Sequence, residues 1–366
     1  MISNKKVPYF YKDKPIFGMD IGHSSLKVMQ SSFGIPNNKS KRPRIIGYGS
    51  TSFDKSAIKD GVIEKPEIIA QAANDLFKNK LVGDITTNRA VIAVPAYRIY
   101  TRYMVLPKLK ASEMDEAVRL EVEQYLSSPL EELYVDWEIT TSSKTQNEVF
   151  FVALPRNIID SYLDLVDILG LETILIEPTL SASSRLFSFD QNNNIPSLIV
   201  DFGSQSSDMS IFVNRVMATG TVNSGGDTFT EKIKQALDVT EAEAKIIKDK
   251  YGLGLSKKQH EINKAVEPIL NDIVRELKRV IRYYEEQFDS DSKQSIKQIV
   301  TMGGGANMPG LNDYLTSSMR LAVRHSDPWQ YFDFNKLEIP STEDKPMYAT
   351  VAGLSIINPK KVFSNA

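Results

Sequence analysis

The sequence DIGHSS at residues 20–25 returns as DFGSQS at residues 201–206, with Asp, Gly and Ser at the same three offsets. Each stretch follows a short apolar run and precedes another, which predicts a tight hairpin between two strands. Either hairpin taken alone is an ordinary structural turn. Because the two stand about half the chain apart, the pair predicts a duplicated α/β fold whose two lobes carry facing turns.

The chemistry of the two hairpins suits a nucleotide bound with magnesium. Backbone N–H groups in a tight glycine turn, here at Gly22 and Gly203, can surround phosphate oxygens. The carboxylates of Asp20 and Asp201 cannot bind phosphate directly, but they can hold the water molecules of hydrated Mg²⁺. We therefore expect ATP and Mg²⁺ to be the ligands of the cleft between the lobes.

The overall composition narrows the class of protein. The chain of 366 residues is too long for one ordinary core, and it carries 44 basic against 46 acidic residues. Because this balance gives no long-range attraction, we expect no nucleic-acid partner. The absence of cysteine excludes thiolate zinc sites and is compatible with the cytoplasm. No apolar run approaches the ~18 residues that a membrane span requires, so we expect no direct membrane insertion.

The pattern along the chain predicts two lobes with one subdomain in each. We divide the sequence into a flexible N-terminal tail at 1–15, a first lobe at 16–196 and a second lobe at 197–366. Strand and helix patterns alternate at about 96–170 without a change of composition, which indicates a subdomain inserted within the first lobe. Helical patterns at about 228–296 indicate a helical subdomain in the second lobe.

Two helices of the helical subdomain are predicted from N-terminal capping boxes. Thr228 with Glu231, and Thr240 with Glu243, have the spacing at which each side chain can bond the backbone of the other residue. The sequence therefore predicts helix starts at Thr228 and Thr240.

Three further motifs are each ordinary when taken singly. Glu177-Pro178 ends a strand, Ser224-Gly-Gly-Asp227 precedes a helix, and Gly303-Gly-Gly305 follows a strand. Three successive glycines allow the backbone to approach a flat ligand closely. The third motif is not a Walker loop, because Leu311 stands where the Walker lysine would be.

The order of these motifs resembles the superfamily of actin, DnaK-type chaperones and sugar kinases. Within it, residues 17–357 resemble the PilM family of type IV pilus assembly and, next, FtsA of cell division. FGMDIGHSSLKVMQ, LIVDFGSQSSDMSIF and IVTMGGGANMPGL carry the wider resemblance, and the stretch from VPAYR to EVEQYL is the part most specific to PilM. The resemblance implies an actin-like fold of ribonuclease H-like duplicated lobes, with an ATP cleft and an FtsA/PilM-type inserted subdomain.

The resemblance also implies which residues hold the ligand. Lys27 stands where the actin branch has a lysine that reaches the β-phosphate, and Glu177 stands where the chaperone branch has an acid that binds Mg²⁺ through water. The implied nucleotide site consists of Asp20, Gly22, Ser24, Ser25, Lys27, Asp201, Gly203, Ser204, Gly225, Gly226, Asp227, Lys248, Gly303, Gly304, Gly305 and Asn307. Asp20, Glu177 and Asp201 are the implied acids around Mg²⁺.

Two positions depart from the family pattern. His23 stands where PilM and FtsA usually have a small hydroxyl residue, so the contact with the γ-phosphate is expected to differ. Lys248 matches the lysine of a ribose-binding Ala-Glu-x-x-Lys run, but Lys245 occupies its acid position. Either Glu243 or Glu241 takes the place of that acid, or the ribose contact is lost.

The function implied by the resemblance is that of a scaffold with at most a slow ATPase activity. It docks a short cytoplasmic peptide of a PilN-like membrane protein in the groove between the insert and the first lobe. Candidate pocket residues are Tyr97, Tyr100, Tyr103 and Leu106. Further candidate interactions are with pilus motor ATPases and with other copies of the chain. The implied location is cytoplasmic, at the inner face of the cytoplasmic membrane through partners.

Two other functions of the same fold stay open. An FtsA-like filament protein has a C-terminal amphipathic membrane helix, and the sequence NPKKVFSNA after Ile357 argues against one here. A small-molecule kinase needs a carboxylate base beside an acceptor pocket, and we find no further acidic motif in the cleft segments. The scaffold is therefore the preferred interpretation.

Overall fold

The computed structural model describes residues 14–32, 42–126, 128–189, 195–287 and 294–362. Most of the predicted N-terminal tail, residues 1–13, lies outside the described residues. The described chain forms two lobes, each built on one large sheet, and a smaller sheet that is separate from both.

The first lobe is a mixed sheet covered by helices. Its core includes Phe17, Met19 and Ile92, and the helices α1 (Pro66–Asn79) and α3 (Arg156–Ile168) pack there together with a ribbon of β4 (Ile58–Lys59) and β5 (Val62–Ile63). The sheet runs in the order β11 (Glu172–Pro178), β7 (Arg89–Val94), β1 (Phe17–Ile21), β2 (Ser25–Ser32), β3 (Arg44–Ser52), β6 (Val82–Gly83).

The sheet of the second lobe repeats the arrangement of the first. It runs in the order β14 (Arg215–Val222), β13 (Ser207–Val213), β12 (Ser197–Phe202), β15 (Gln298–Met302), β16 (Ala322–His325). In the first lobe β1 is antiparallel to β2 and parallel to β7, and in the second lobe β12 is antiparallel to β13 and parallel to β15. The predicted duplication of an α/β lobe is therefore confirmed.

The helices of the second lobe pack against one side of its sheet. The helices are α5 (Gly226–Leu237), α6 (Glu241–Lys250), α7 (Gln259–Gln287) and α8 (Leu311–Met319). Apolar side chains recur along α7 at helical spacing, and Val266, Ile273 and Val280 from this stripe are buried in the core of the lobe. Helices α5 to α7 lie between residues 226 and 287, and the division into a helical subdomain at about 228–296 stays a prediction.

One predicted helix start is confirmed and the other is wrong. Thr240 precedes α6, where its hydroxyl accepts from the Glu243 N–H at 3.3 Å and its own N–H donates to Glu243 Oε2 at 2.9 Å. The preceding helix begins at Gly226 with Gly225 as its N-cap, so Thr228 lies inside the first turn. The N–H groups of Gly226 and Asp227 bond carbonyls of the second hairpin instead, which draws the helix start forward by two residues.

The inserted layer is a three-stranded sheet with one helix, and its core includes Met104, Val118 and Phe151. Its elements are β8 (Tyr100–Pro107), α2 (Ala111–Tyr125), β9 (Leu133–Ser142) and β10 (Gln146–Pro155), with sheet order β8-β10-β9. This layer is shorter than the predicted 96–170, because α3 buries Tyr162 and Leu165 in the core of the first lobe.

Two helices connect the lobes. The helix α4 (Thr179–Phe189) packs against α9 (Ala349–Ser355), and α9 lies on β1 and β2 of the first lobe although it comes late in the chain. A short helix, α10 (Pro359–Val362), follows it. The predicted boundary between residues 196 and 197 therefore separates the two sheets but not the helices.

Within the described ranges, no helix is both long and apolar enough to cross a membrane. The longest described helix, α7, has 29 residues, and charged residues stand between the apolar residues of its buried stripe.

The contact between α4 and α9 depends on a glycine. A Cβ atom at Gly353 would lie 1.8 Å from the Ala182 carbonyl oxygen, which is far inside van der Waals contact. We expect Gly353→Ala to lower the free energy of unfolding by about 2 kcal/mol or more, since overpacking of a tight interior typically costs about 1–3 kcal/mol. Urea denaturation measures this.

The matched control is Gly304→Ala, whose added Cβ would meet its nearest atom, Met347 Sδ, at an ordinary 3.8 Å. An equal loss of stability in both variants would show that the α4–α9 contact is not the cause.

Candidate functional site

The two predicted hairpins face each other across one cleft. Asp20 lies near the end of β1 and Asp201 near the end of β12, and both hairpins line a cleft of about 460 Å³. The first turn is closed by the Gly22 N–H donating to the Ser25 carbonyl at 2.9 Å. The predicted residues that line the cleft are Asp20, Gly22, Ser24, Ser25, Lys27, Asp201, Gly203, Ser204, Gly226, Asp227, Lys248, Gly303, Gly304 and Gly305.

A lysine lies beside the acid of the first hairpin. Lys27 Nζ is 3.8 Å from Asp20 Oδ2 and donates to Ser25 Oγ at 3.0 Å. Both side chains are almost fully buried, and burial raises the pKa of Asp20 while the neighbouring ammonium group opposes that rise. The ammonium group of Lys27 is therefore held at the first turn, where phosphate oxygens would lie.

The second hairpin has an acid where the first has this lysine. In the antiparallel pairing Asp20 lies opposite Lys27, and Asp201 lies opposite Asp208. Asp208 accepts from Ser206 Oγ at 2.7 Å and from Thr221 Oγ1 at 2.6 Å. Asp208 was not among the predicted site residues, although it stands seven residues after Asp201, as Lys27 does after Asp20.

The two acids of the second hairpin have raised pKa values. Burial raises the pKa of Asp201 to about 7, with further contributions from the charges of Asp208 and Asp20. Burial raises the pKa of Asp208 to about 6 against its two hydroxyl hydrogen bonds. A bound divalent cation would stabilise the ionised forms, so these side chains fit the outer, water-mediated shell of Mg²⁺. Within the described ranges, no three acidic or histidine side chains are close enough to hold a metal directly.

Two glycines allow the chain segments around the second hairpin to approach each other. Gly303 has φ +81°, and a Cβ atom there would lie 2.3 Å from Asp201 Oδ1. A Cβ atom at Gly225 would lie 2.5 Å from the Gly203 carbonyl oxygen. The Gly226 N–H donates to that same oxygen at 2.9 Å, which brings the N-terminal end of α5 against the hairpin.

Lys248 is the basic residue of the helical side of the cleft. Its ammonium group donates to the Gly226 carbonyl at 3.1 Å and to Thr230 Oγ1 at 3.0 Å, and burial lowers its pKa. Neither acid considered as a replacement beside it lines the cleft. Glu243 caps α6, and Glu241 forms an ion pair with Lys55 of the first lobe at 2.6 Å.

An acid that was not predicted, Asp249, also lines this side of the cleft, as does Lys245. The family spacing places the acid on the N-terminal side of Lys248, so Asp249 was not among the predicted residues. Asp249 Oδ1 lies 3.7 Å from Lys248 Nζ.

Three predicted residues do not line the cleft. Both carboxylate oxygens of Glu177 accept from the Arg185 guanidinium, at 2.7 and 2.5 Å, so this acid serves an ion pair beside α9 rather than the cleft. Asn307 donates to the Glu343 carbonyl at 2.6 Å. Gly225 packs against the backbone of Gly203 and Ser204 in the second hairpin. The sequence signal for Glu177 was its place before a proline, which does not reveal the arginine eight residues later.

A chain of polar contacts crosses the cleft between the two hairpins. Tyr97 Oη donates to Gln205 Oε1 at 2.9 Å, and Gln205 Nε2 lies 3.2 Å from His23 Nε2. The Tyr97 ring belongs to the segment that enters the insert, Gln205 to the second hairpin and His23 to the first. His23, one of the two positions that depart from the family pattern, therefore makes this contact between the two hairpins.

The chain is similar to several solved structures. Against a PilM–PilN type IV pilus biogenesis complex the TM-score is 0.80 at 22% identity, over 94% of this chain and 98% of that chain. Against the ethanolamine utilization protein EutJ from Carboxydothermus hydrogenoformans it is 0.53 at 14% identity, over 93% and 88%. Against MreB5 of Spiroplasma citri bound to ADP it is 0.51 at 12% identity, over 97% and 98%.

The duplicated sheets, the facing hairpins and the cleft between them define an actin-like protein, which confirms the predicted fold class. A profile described as type IV pilus assembly protein PilM matches residues 18–358. The chain belongs to this family, and it is an actin-like protein of type IV pilus assembly.

The raised pKa of Asp208 makes stability depend on pH. Its folded pKa of about 6 lies above the ordinary value of 3.8 for an aspartate, so between these pH values the folded state holds a proton that the unfolded chain releases. This contribution is fully present below pH 4 and is lost as pH rises through 6. We expect the Tm of ligand-free Asp208→Asn, relative to wild type, to increase by a few degrees between pH 5 and pH 8, on the order expected for ~1–2 kcal/mol.

The control is Asp164→Asn, an exposed acid on α3. If the Tm difference between Asp208→Asn and wild type is the same at both pH values, Asp208 is not the group that titrates.

Proposed function

We propose that this chain is an ATP-binding scaffold of the type IV pilus assembly platform that docks the N-terminal cytoplasmic peptide of a PilN-like membrane protein. The observation that carries the nucleotide part is the meeting of two duplicated hairpins across one cleft, with the Gly303–Gly305 turn beside them. The similar MreB5 structure is bound to ADP, which supports a nucleotide as the occupant.

The residues of the cleft supply each kind of contact that ATP needs. Lys27 and the hairpin N–H groups face the phosphates, and Asp20 with Asp201 hold Mg²⁺ through water. Gly304 and Gly305 leave the backbone open to the flat adenine ring. Glu177 is left out of this site because Arg185 occupies its carboxylate.

The cleft favours binding over rapid turnover. A general base needs a side chain that can accept a proton within hydrogen-bond reach of the attacking water. The acids nearest the phosphate end are Asp20 and Asp201, which are assigned to the hydrated cation, and Asp208, which accepts from two hydroxyl groups. We therefore propose that the chain is at most a slow ATPase.

The similar PilM structure is a complex with PilN, which supports a PilN-like partner. We place the peptide site of this proposal on the insert, because its strands and helix lie outside the two large sheets of the lobes. Of the four side chains considered as pocket residues, Leu106 is buried against α2, Tyr97 bonds Gln205, and Tyr103 bonds the Val216 carbonyl of the second lobe. Tyr100 remains, with 42% of its surface exposed.

A second exposed aromatic side chain extends the surface around Tyr100. Tyr125, at the end of α2, is 47% exposed, and the guanidinium of Arg102 lies 3.6 Å from the centre of its ring. Aromatic side chains with an arginine are frequent anchors in protein interfaces. We therefore assign the peptide groove to the side of the insert that carries Tyr100 and Tyr125, and this contact would hold the chain at the inner face of the cytoplasmic membrane.

The nucleotide site is tested by Asp20→Asn and Asp201→Asn. Each change should weaken magnesium-dependent ATP binding by about tenfold or more, because a hydrogen bond to a charged group contributes about 1.5–3 kcal/mol. Isothermal titration with ATP, with and without Mg²⁺, measures the effect.

Asp167→Asn, an exposed acid on α3, is the matched control and should bind as wild type does. Wild-type affinity in both cleft variants would refute the assignment of the two hairpins to hydrated Mg²⁺.

The peptide site is tested by Tyr100→Ala combined with Tyr125→Ala. Loss of two aromatic anchors should reduce the affinity for the N-terminal peptide of the PilN-like partner by about tenfold or more, while ATP affinity stays unchanged. Fluorescence anisotropy of a labelled peptide measures this affinity.

The control is Ile168→Ala, which removes an exposed apolar side chain (58% exposed) outside the insert. Undiminished peptide binding in the double variant would place the groove elsewhere.

A further inference from the structure

The polar contacts between Tyr97, Gln205 and His23 favour one tautomer of the neutral His23 ring. Tyr97 Oη donates to Gln205 Oε1, so the amide group turns its NH₂ toward the imidazole ring. An NH₂ group can only donate, and therefore His23 Nε2 accepts in this arrangement. The single proton of the neutral ring then lies on Nδ1.

The Nδ1–H group of this tautomer has no acceptor. Nδ1 of His23 is buried and makes no hydrogen bond in the part of the chain that the structure describes. A buried donor without an acceptor costs about 1–3 kcal/mol. The ring is thus held across the cleft by one contact of 3.2 Å, between His23 Nε2 and Gln205 Nε2. If the ring turns, its Nδ1–H group could donate to an oxygen of a ligand.

Burial and nearby charges together lower the pKa of His23, which favours its neutral form in the ligand-free protein. Burial is the largest influence and lowers its pKa, Asp227 at the start of α5 opposes this, and Lys55 of the first lobe adds to it. A phosphate oxygen beside the ring would reverse the balance by stabilising the imidazolium form.

We infer that His23 determines whether the cleft distinguishes a nucleoside triphosphate from a diphosphate. The inference rests on the proposed nucleotide site. A terminal phosphate between the two hairpins replaces Gln205 as the partner of His23, which then donates a charge-assisted hydrogen bond to a phosphate oxygen. A diphosphate does not reach this position and leaves the contact between His23 and Gln205 in place.

The pH dependence follows from the uptake of a proton. Because the imidazolium form is stabilised only in the triphosphate complex, ATP binding takes up a proton and strengthens as pH falls from 8 to 6. The titration of Asp201 affects both magnesium complexes, so the ratio of ATP affinity to ADP affinity isolates the contribution of His23.

The test measures Kd for ATP and for ADP, each with Mg²⁺, at pH 6 and pH 8 in wild type, His23→Ser and Gln205→Ala. In wild type the ratio of ATP affinity to ADP affinity should be at least about fivefold higher at pH 6 than at pH 8, since a charge-assisted bond is about twice as strong as a neutral one. His23→Ser should keep its ADP affinity within about twofold and lose the pH dependence of the ratio. Gln205→Ala keeps the histidine and removes its competitor, so the ratio should equal or exceed that of wild type.

The inference is overturned if His23→Ser binds ADP and shows the wild-type ratio at both pH values. It is also overturned if Gln205→Ala abolishes the preference for ATP while ADP still binds. Failure of the wild-type protein to bind either nucleotide is a different result, because it refutes the proposed nucleotide site itself and this inference with it.

Discussion

The geometry of the molecule depends on the close packing of α9 between α4 and β1. All seven residues of α9 are buried, and Gly353 allows its backbone to touch α4 where a methyl group would overlap the Ala182 carbonyl. Gly18 on β1 permits the same closeness from the other side, because a Cβ there would lie 2.6 Å from Leu354 Cβ. The helix α9 is thereby fixed to β1 and β2 of the first lobe and to α4.

The two lobes share one plan but differ in charge at equivalent places. Lys27 and Asp208 occupy the same register opposite Asp20 and Asp201, so the duplication gives one hairpin a cation and the other a second acid. The additional positive charge of Lys27 favours an anion beside the first hairpin, and the additional negative charge of Asp208 favours a cation close to Asp201. A symmetric pair could supply only one of these, so the asymmetry makes the cleft suitable for a phosphate chain with magnesium.

The sequence predicted the fold and most of the cleft because both depend on local patterns. A glycine turn between two apolar runs needs no distant partner, and the repetition of Asp20 and Asp201 revealed the duplication. Where a residue's role depends on a distant or unexamined neighbour, the prediction did not hold. Glu177 is taken up by Arg185, and the start of α5 is moved from Thr228 to Gly226 by bonds to Gly203 and Ser204. Such partners are set by tertiary packing, which local spacing does not encode.

The insert is attached to both lobes, and this relates its position to the angle between them. On the second lobe, Arg215 pairs with Glu148 of β10 at 2.8 Å, and Thr101 bonds Thr219 at 3.0 Å. On the first lobe, Tyr134 of β9 donates to Asp160 of α3 at 2.9 Å. A rotation of one lobe against the other must therefore either carry the insert with one side or break the bonds on the other. The same rotation changes the distance between the hairpins, so the width of the cleft and the placement of the insert are not independent quantities in this fold.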